Sequence, residues 1–261
     1  MPVSTIDLNS DVGESFGNYK LGLDEDVIPL ISSANIACGY HAGDPAIMRQ
    51  TVALARRHGV ALGAHPGLLD LVGFGRRSMD MTLEEIKALV TYQIGALQAV
   101  AALQGARLQH VKPHGALYNM AVKNPDIWDA VAEVMAGLDD RLILFVLAGG
   151  DRSELESIAR RRGIRIAFEF FADRAYNQDG TLVSRKLAGA VIHDNEAVAG
   201  KVLKFVKEGR VNTIDGPDIA LKAETICVHG DNPKALALVK TIRETLNAAG
   251  VAVKKPAEVR R

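Results

Sequence analysis

Residues able to carry out hydrolytic chemistry recur at, or just after, the ends of short apolar segments along the chain. Carboxylates and histidines exchange protons, and a lysine or arginine stabilises negative charge that develops on an oxygen atom. The predicted catalytic residues are Asp11, Glu14, His41, His65, Lys112, His114 and Glu169, and the predicted substrate-binding residues are Asn9, Asp44, Asp173, Arg174, His229 and Asp231. This combination indicates acid–base chemistry with a stabilised oxyanion.

Seven strand-like segments position these residues. They alternate with longer helical patterns, and we predict strands at residues 5–9, 35–38, 61–65, 109–113, 142–147, 165–170 and 225–229. The C-terminal ends of parallel strands meet at one edge or mouth of an α/β fold, where such folds hold their sites. We therefore expect the candidate residues to converge, although Asn9 and Asp231 lie far apart in the sequence.

Helical patterns between the strands favour a parallel sheet covered by helices. We predict helices at residues 26–32, 45–58, 83–104, 125–137, 153–162, 196–208 and 233–249. An open doubly wound sheet usually carries a glycine-rich dinucleotide motif after its first strand. Residues 9–14 (NSDVGE) are instead acidic, with one glycine. A seven-stranded parallel β/α barrel is therefore the predicted fold.

The whole chain, residues 1–261, is predicted to form one barrel domain. Residues 173–194 form a long polar segment with a turn signal at 177–180 (NQDG), which predicts a hairpin or lid over the mouth of the barrel. Residues 254–261 are charged and predict a frayed tail.

Three kinds of chemistry fit the predicted mouth. Asp11, His65 and His114 could hold a divalent metal ion that polarises a carbonyl group or activates water. Without a metal, Asp11 or Glu169 could activate water while Lys112 or a histidine stabilises the oxyanion. A phosphate site is the third alternative, since the turn at 149–151 (GGD) opens a predicted helix, although no P-loop motif is present.

Composition argues against several classes of function. Thirty-one basic and 31 acidic residues give a formal net charge of zero, so the chain lacks the overall basic character expected of a nucleic-acid-binding or membrane-surface protein. The two cysteines, Cys38 and Cys227, are too few for a disulfide framework and are predicted to be buried thiols. The N-terminus lacks the pattern of a secretory signal, so we expect a cytoplasmic protein.

The segments that hold the candidate residues resemble those of the LamB/YcsF family, which comprises the A subunit of the bacterial ATP-dependent 5-oxoprolinase. The matching stretches are residues 7–14 (DLNSDVGE), 34–45 (ANIACGYHAGDP), 63–66 (GAHP), 73–77 (GFGRR), 111–119 (VKPHGALYN), 171–176 (FADRAY), 179–185 (DGTLVSR) and 227–231 (CVHGD). The resemblance implies a seven-stranded β/α barrel related to glycoside hydrolases and polysaccharide deacetylases. It also implies hydrolysis of 5-oxoproline to L-glutamate, coupled to hydrolysis of the cosubstrate ATP and carried out with two partner subunits.

Under this interpretation, Lys112 and Arg174 would neutralise the substrate carboxylate or phosphoryl oxygens, and Asp11 or Glu169 would orient the attacking water. Two alternatives remain open at this stage. The chain could be a stand-alone, metal-dependent hydrolase resembling carbohydrate deacetylases, or a non-catalytic subunit that binds the lactam. The sequence leaves open whether ATP binds on this chain or on a partner, and it also admits a homo-oligomer.

Overall fold

The computed structural model describes residues 3–228 and 235–256. Its centre is a closed barrel of seven parallel strands in the order β1-β2-β3-β4-β5-β6-β9, in which β9 pairs with β1. These strands are β1 (Thr5–Val12), β2 (Ser33–Ala37), β3 (Ala61–His65), β4 (Leu108–Val111), β5 (Ile143–Leu147), β6 (Arg165–Phe171) and β9 (Thr225–Val228). The prediction of a seven-stranded parallel β/α barrel is confirmed.

Helices follow the strands and cover the outside of the barrel. They are α1 (Asp24–Val27), α2 (Pro45–Arg57), α3 (Leu83–Leu103), α4 (Gly115–Lys123), α5 (Pro125–Leu138), α6 (Ser153–Arg162), α7 (Asn195–Glu208) and α8 (Ala235–Ala248). A short 3₁₀ helix, Ile28–Leu30, follows α1. Three short strands complete the described fold: β7 (Arg210–Val211) pairs with β8 (Ile219–Ala220), and β10 (Ala252–Val253) extends the sheet beside β1.

Local sequence signals account for where several helices begin. Asp44 caps α2 by accepting hydrogen bonds from the backbone amides of Ala46 and Ile47, and a proline occupies the first helical position. Thr82 and Glu85 form the predicted capping box at the start of α3. Both signals satisfy backbone donors that an isolated helix leaves unpaired.

The predicted strands all have counterparts, with shifts of a few residues at their ends. The sequence patterns did not predict helix α4 or the short strands β7, β8 and β10. Helix α4 follows β4 within a few residues, the side chain of its N-cap residue His114 makes no capping hydrogen bond, and Gly115 has a positive φ of 53°. The usual start signal is therefore missing.

Residues 173–194 form an irregular segment after β6. Isolated antiparallel bridges pair Arg174 with Val191 and Tyr176 with Leu182, so the segment folds back on itself. The proposed lid function of this segment and the assignment of residues 1–261 to one domain stay predictions. Part of the predicted tail, residues 257–261, lies outside the described residues.

Helix α3 is long and apolar enough to cross a membrane by length and composition alone, and it is the single such helix in the described part of the chain. In this fold it lies against the barrel and buries one face, including Val90, Ile94 and Leu97. A core helix of a soluble protein has the same properties.

Candidate functional site

The alternation of β1 places three polar side chains on one face of the strand. Asp7, Asn9 and Asp11 occupy every second position and are all buried. Successive side chains of a strand point to opposite faces, so these three share the barrel interior. Asp11 lies nearest the C-terminal end and therefore nearest the mouth.

Lys112 is the centre of the polar network in the barrel. Its ammonium group lies 2.9 Å from Asp11 Oδ1 and 3.2 Å from Glu169 Oε1, and only 3% of the side chain is exposed. Burial opposes the charge, but the two neighbouring carboxylates raise the pKa of Lys112 well above its ordinary value. The lysine is therefore a permanent buried cation between two acids.

Asn9 and Glu169 form a deeper level of the same network. Asn9 Nδ2 donates to Glu169 Oε1 at 2.9 Å and to Thr225 Oγ1 at 2.7 Å. The hydroxyl of Tyr118 donates to Glu169 Oε2 at 3.3 Å. Glu169 has no exposed surface, whereas 9% of the Asp11 side chain is exposed. Of the two acids that contact Lys112, Asp11 is thus the one that can meet a substrate or water.

Four side chains form a second cluster at the mouth. Glu14, His41, His65 and His114 are all buried, and one candidate ligand atom from each lies within 4.8 Å of the others. His65 Nε2 is also 3.4 Å from Asp11 Oδ2, so this cluster adjoins the lysine network. The predicted residues Asp11, Glu14, His41, His65, Lys112, His114, Glu169 and Asn9 therefore come together at one end of the barrel.

Backbone carbonyls fix the protonation of two of these rings. His65 Nδ1 lies 2.6 Å from the carbonyl oxygen of Lys112, and His114 Nε2 lies 2.9 Å from that of Phe74. A carbonyl oxygen only accepts hydrogen bonds, so both of these ring nitrogens carry protons. Burial lowers the pKa of His114 well below its ordinary value, so its ring is neutral and its other nitrogen, Nδ1, holds a lone pair.

The loop of the GFGRR stretch supports the histidines from one side. Phe74 is the one described residue other than glycine with a positive φ, 54°, and this backbone conformation presents its carbonyl oxygen to His114. Gly75, with φ of 62°, packs so closely that a β-carbon there would lie 2.6 Å from His41 Cβ and 2.9 Å from His114 Cδ2. Backbone strain of this kind is characteristic of functional sites.

His41 differs from the other two histidines in its contacts. Its ring stacks on that of His114 with centroids 3.7 Å apart, and its Nε2 lies 3.5 Å from Glu14 Oε1. Within the described part of the chain, neither ring nitrogen has a hydrogen-bond partner. Burial lowers the pKa of His41 well below its ordinary value, so this ring is also neutral.

Other predicted site residues lie apart from the two clusters or have structural roles. Arg174 donates to the carbonyl oxygens of Ala190 and Val183, so its guanidinium holds the 173–194 segment together. Asp44 is the cap of α2. Asp173 is buried just beyond the end of β6. His229 and Asp231 lie outside the described residues.

The barrel also brings into the site three residues that were not predicted there: Asn35, His110 and Cys227. Asn35 donates to Asn9 Oδ1 at 2.7 Å and to Asp11 Oδ1 at 2.8 Å, and His110 Nε2 lies 2.8 Å from Asn35 Oδ1. Cys227 is a buried thiol as predicted, but its sulfur also lies 2.9 Å from Lys112 Nζ. The alternation of polar residues within a strand was the signal that could have found them, since His110 and Lys112 lie two positions apart.

A separate cleft of about 600 Å³ lies beside the loop after β5 and includes the GGD turn. Its lining mixes acids with the cations Arg152 and Lys222. Arg152 stacks over the ring of Phe168, 3.7 Å from its centroid, and donates to the carbonyl oxygen of Ala148. The predicted phosphate site at this turn stays a prediction.

Comparison with known proteins agrees with the resemblance noted from the sequence. Residues 6–261 match the model of the LamB/YcsF family. The chain is 56% identical over 248 residues to the A subunit of 5-oxoprolinase from Pyrococcus furiosus, covering 95% of this chain and 96% of that protein. It is 54% identical over 248 residues to the A subunit of 5-oxoprolinase from Alkaliphilus metalliredigens, with the same coverage of both chains.

A crystal structure of a lactam utilization protein from Thermus thermophilus has the same fold. It superposes with a TM-score of 0.89 at 45% identity, covering 96% of this chain and 99% of the other. The chain therefore belongs to the LamB/YcsF family.

Proposed function

We propose that this protein is the subunit of an ATP-dependent 5-oxoprolinase that acts on the lactam ring of 5-oxo-L-proline and yields L-glutamate. The proposal is supported by relatives that are named as the A subunit of 5-oxoprolinase and are similar over nearly their whole length. The observation that carries it is the buried Lys112 held between Asp11 and Glu169 at the mouth of the barrel.

The reaction explains why such residues are needed. Resonance stabilises an amide, so a lactam carbonyl is a poor electrophile. Hydrolysis breaks the ring C–N bond, adds the oxygen of water to the carbonyl carbon and leaves a proton on the nitrogen. Opening a five-membered lactam is not strongly downhill, and coupling to ATP hydrolysis would drive it. Phosphorylation of the amide oxygen by ATP, with release of ADP, would make the carbon a better electrophile, and phosphate would leave after water adds to that carbon.

The contacts suggest a role for each residue. Lys112 stabilises negative charge on the amide or phosphoryl oxygen, because it is a fixed cation that needs no reorganisation during the reaction. Asp11 orients the attacking water, because it is the more exposed of the two acids that flank Lys112. Glu169 lies deeper and keeps the lysine in place.

Partner subunits and ATP form part of the same proposal. Two other subunits complete the enzyme, and ATP binds either here or on a partner. Because ATP is a cytoplasmic metabolite, a cytoplasmic location follows from the proposed reaction. We also propose that residues 173–194, which Arg174 ties together, cover part of the mouth and limit the access of water.

The test is oxoproline-dependent ATP hydrolysis by the complex reconstituted with its partner subunits. Asp11→Asn and Lys112→Met should each lower kcat by at least about 100-fold, the scale of one acid–base or electrostatic contribution. The matched control is Lys87→Met. Lys87 lies on α3, on the outside of the barrel, and its ammonium group contacts two carboxylates at 2.9 Å. Wild-type rates in both site variants would contradict the assignment.

The same experiment separates the alternatives. If the chain only binds the lactam, the isolated protein will bind 5-oxoproline, and the site variants will raise the KM of the complex without lowering its kcat. If it is a stand-alone deacetylase-like hydrolase, the isolated chain will cleave acetylated sugars with no partner and no ATP. Either result would replace the proposed function.

A further inference from the structure

His65 and His114 each turn one ring nitrogen to a backbone carbonyl, and their other two ring nitrogens face each other. His65 donates from Nδ1 and His114 donates from Nε2, and each proton is directed to a backbone carbonyl. The remaining nitrogens, His65 Nε2 and His114 Nδ1, lie only 2.9 Å apart. His65 Nε2 also lies 3.4 Å from a carboxylate oxygen of Asp11. Two ring nitrogens this close need a cation between them, which is either one shared proton or a metal ion.

Two neighbouring residues, Glu14 and His41, add further possible metal ligands without adding a positive charge. Glu14 Oε1 lies 4.0 Å from His114 Nδ1 and 3.5 Å from His41 Nε2. His41 is 1% exposed, and neither of its nitrogens has a hydrogen-bond partner among the described residues. A buried ring with no partner is costly, and binding a ligand through one nitrogen would remove part of that cost.

We propose that Glu14, His41, His65 and His114 bind one divalent transition-metal ion. Zn²⁺ is the best match, because three imidazole nitrogens and one carboxylate oxygen suit zinc, while Mg²⁺ and Ca²⁺ prefer oxygen ligands. The backbone carbonyls of Lys112 and Phe74 act as the outer partners that orient metal-bound histidines, a role usual in such sites. The proposed ligands retain His65 and His114 from the sequence prediction and use Glu14 and His41, with Asp11 adjoining the site.

The proposal concerns metal binding and is tested apart from catalysis. The full-length chain is stripped with a chelator, dialysed, and titrated with Zn²⁺, Co²⁺ or Mg²⁺ alone. We expect one Zn²⁺ per chain, a rise in Tm with Zn²⁺ that equal Mg²⁺ does not produce, and visible absorption bands of nitrogen- and oxygen-ligated Co²⁺. Loss of oxoproline-dependent activity plays no part in this readout.

Variants identify the ligands. His41→Gln and Glu14→Gln should each weaken Zn²⁺ binding by more than about 10-fold, since even the loss of an outer partner costs roughly 10- to 100-fold. His58→Gln, which changes an exposed histidine at the end of α2, should bind like the wild type. Circular dichroism confirms that each variant is folded, and the Co²⁺ spectrum of the wild type tests the ligand types even if one variant fails to fold.

Two results would overturn the proposal. The first is that the wild-type chain binds no stoichiometric Zn²⁺ and that its nitrogen NMR spectrum shows a single proton shared between His65 and His114. The second is unchanged Zn²⁺ affinity in both His41→Gln and Glu14→Gln. Zinc binding without oxoprolinase activity would contradict the proposed function and leave the metal site standing.

Discussion

We expect the stability of the barrel to depend on the charge of Lys112, and Lys112→Met tests how strongly. Methionine has a similar length and keeps the apolar part of the side chain, so the substitution removes the ammonium group with little change in volume. It leaves Asp11 and Glu169 in the barrel without the cation that lies 2.9 Å and 3.2 Å from them. The variant therefore measures the cost of two buried acids that have lost their counter-ion.

The magnitude follows from these distances and from burial. At an effective dielectric constant of about 20, each contact at this separation gives a gross attraction of roughly 5 kcal/mol, most of which the desolvation of the charges offsets. Removing one partner of a buried ion pair costs about 3–5 kcal/mol, because the other charge stays buried and unpaired. For a chain of this size we expect Tm to fall by roughly 6–20 °C.

The assay is urea unfolding at pH 7, followed by circular dichroism and by the fluorescence of Trp128, the one tryptophan of the chain. Lys87→Met is again the matched control, because its contacts with Glu84 and Glu133 are also 2.9 Å long but lie at the surface. Water screens those charges, so the control should lose far less stability. Equal losses in the two variants would refute the argument from burial.

Two further predictions test the polar interior of the barrel. Burial raises the pKa of Asp7 from 3.8 to about 6, so the folded protein holds this proton more tightly than the unfolded chain does. As the pH rises from about 4 to about 7, the unfolding free energy of the wild type should therefore fall by about 3 kcal/mol relative to that of Asp7→Asn. Parallel stability curves for the two proteins would contradict this, and the curves are measured by urea unfolding across that range. At Gly63 an added β-carbon would overlap the ring of His110, so Gly63→Ala should lower the unfolding free energy by about 1–3 kcal/mol. The control is Gly95→Ala in α3, where the added β-carbon meets no atom within 4 Å, so this change should be neutral or stabilising. If thermal melts show the same loss of stability for both variants, tight packing at Gly63 is not the cause.

The order of strands and helices was predictable because its signals are local. Short apolar runs marked the strands, and caps such as Asp44 and Thr82 marked helix starts. The sequence also placed Asp11, His65 and Lys112 at strand ends, which parallel strands bring to one mouth. Helix α4 escaped prediction because His114 takes part in the site instead of capping the helix.

Other properties of the site depend on contacts between distant segments. Lys112 is a permanent cation because β1 and β6 bring Asp11 and Glu169 to it, and no pattern within β4 carries that information. His110 is not among the residues predicted for the site, yet closure of the barrel brings it to Asn35 on β2. When the sheet closes into a barrel, these polar side chains become buried and meet their partners at the same time.

The sequence by itself determined the residue types, their places at strand ends and the barrel that collects them. Only the tertiary structure decided which carboxylate faces the mouth and which ring nitrogens of His65 and His114 carry protons to backbone carbonyls. The orientation of these two rings depends on the carbonyl oxygens of Lys112 and Phe74, which come from the end of β4 and from the loop after β3. A ring's protonation is set by its nearest neighbours in space, and those neighbours are distant in the chain.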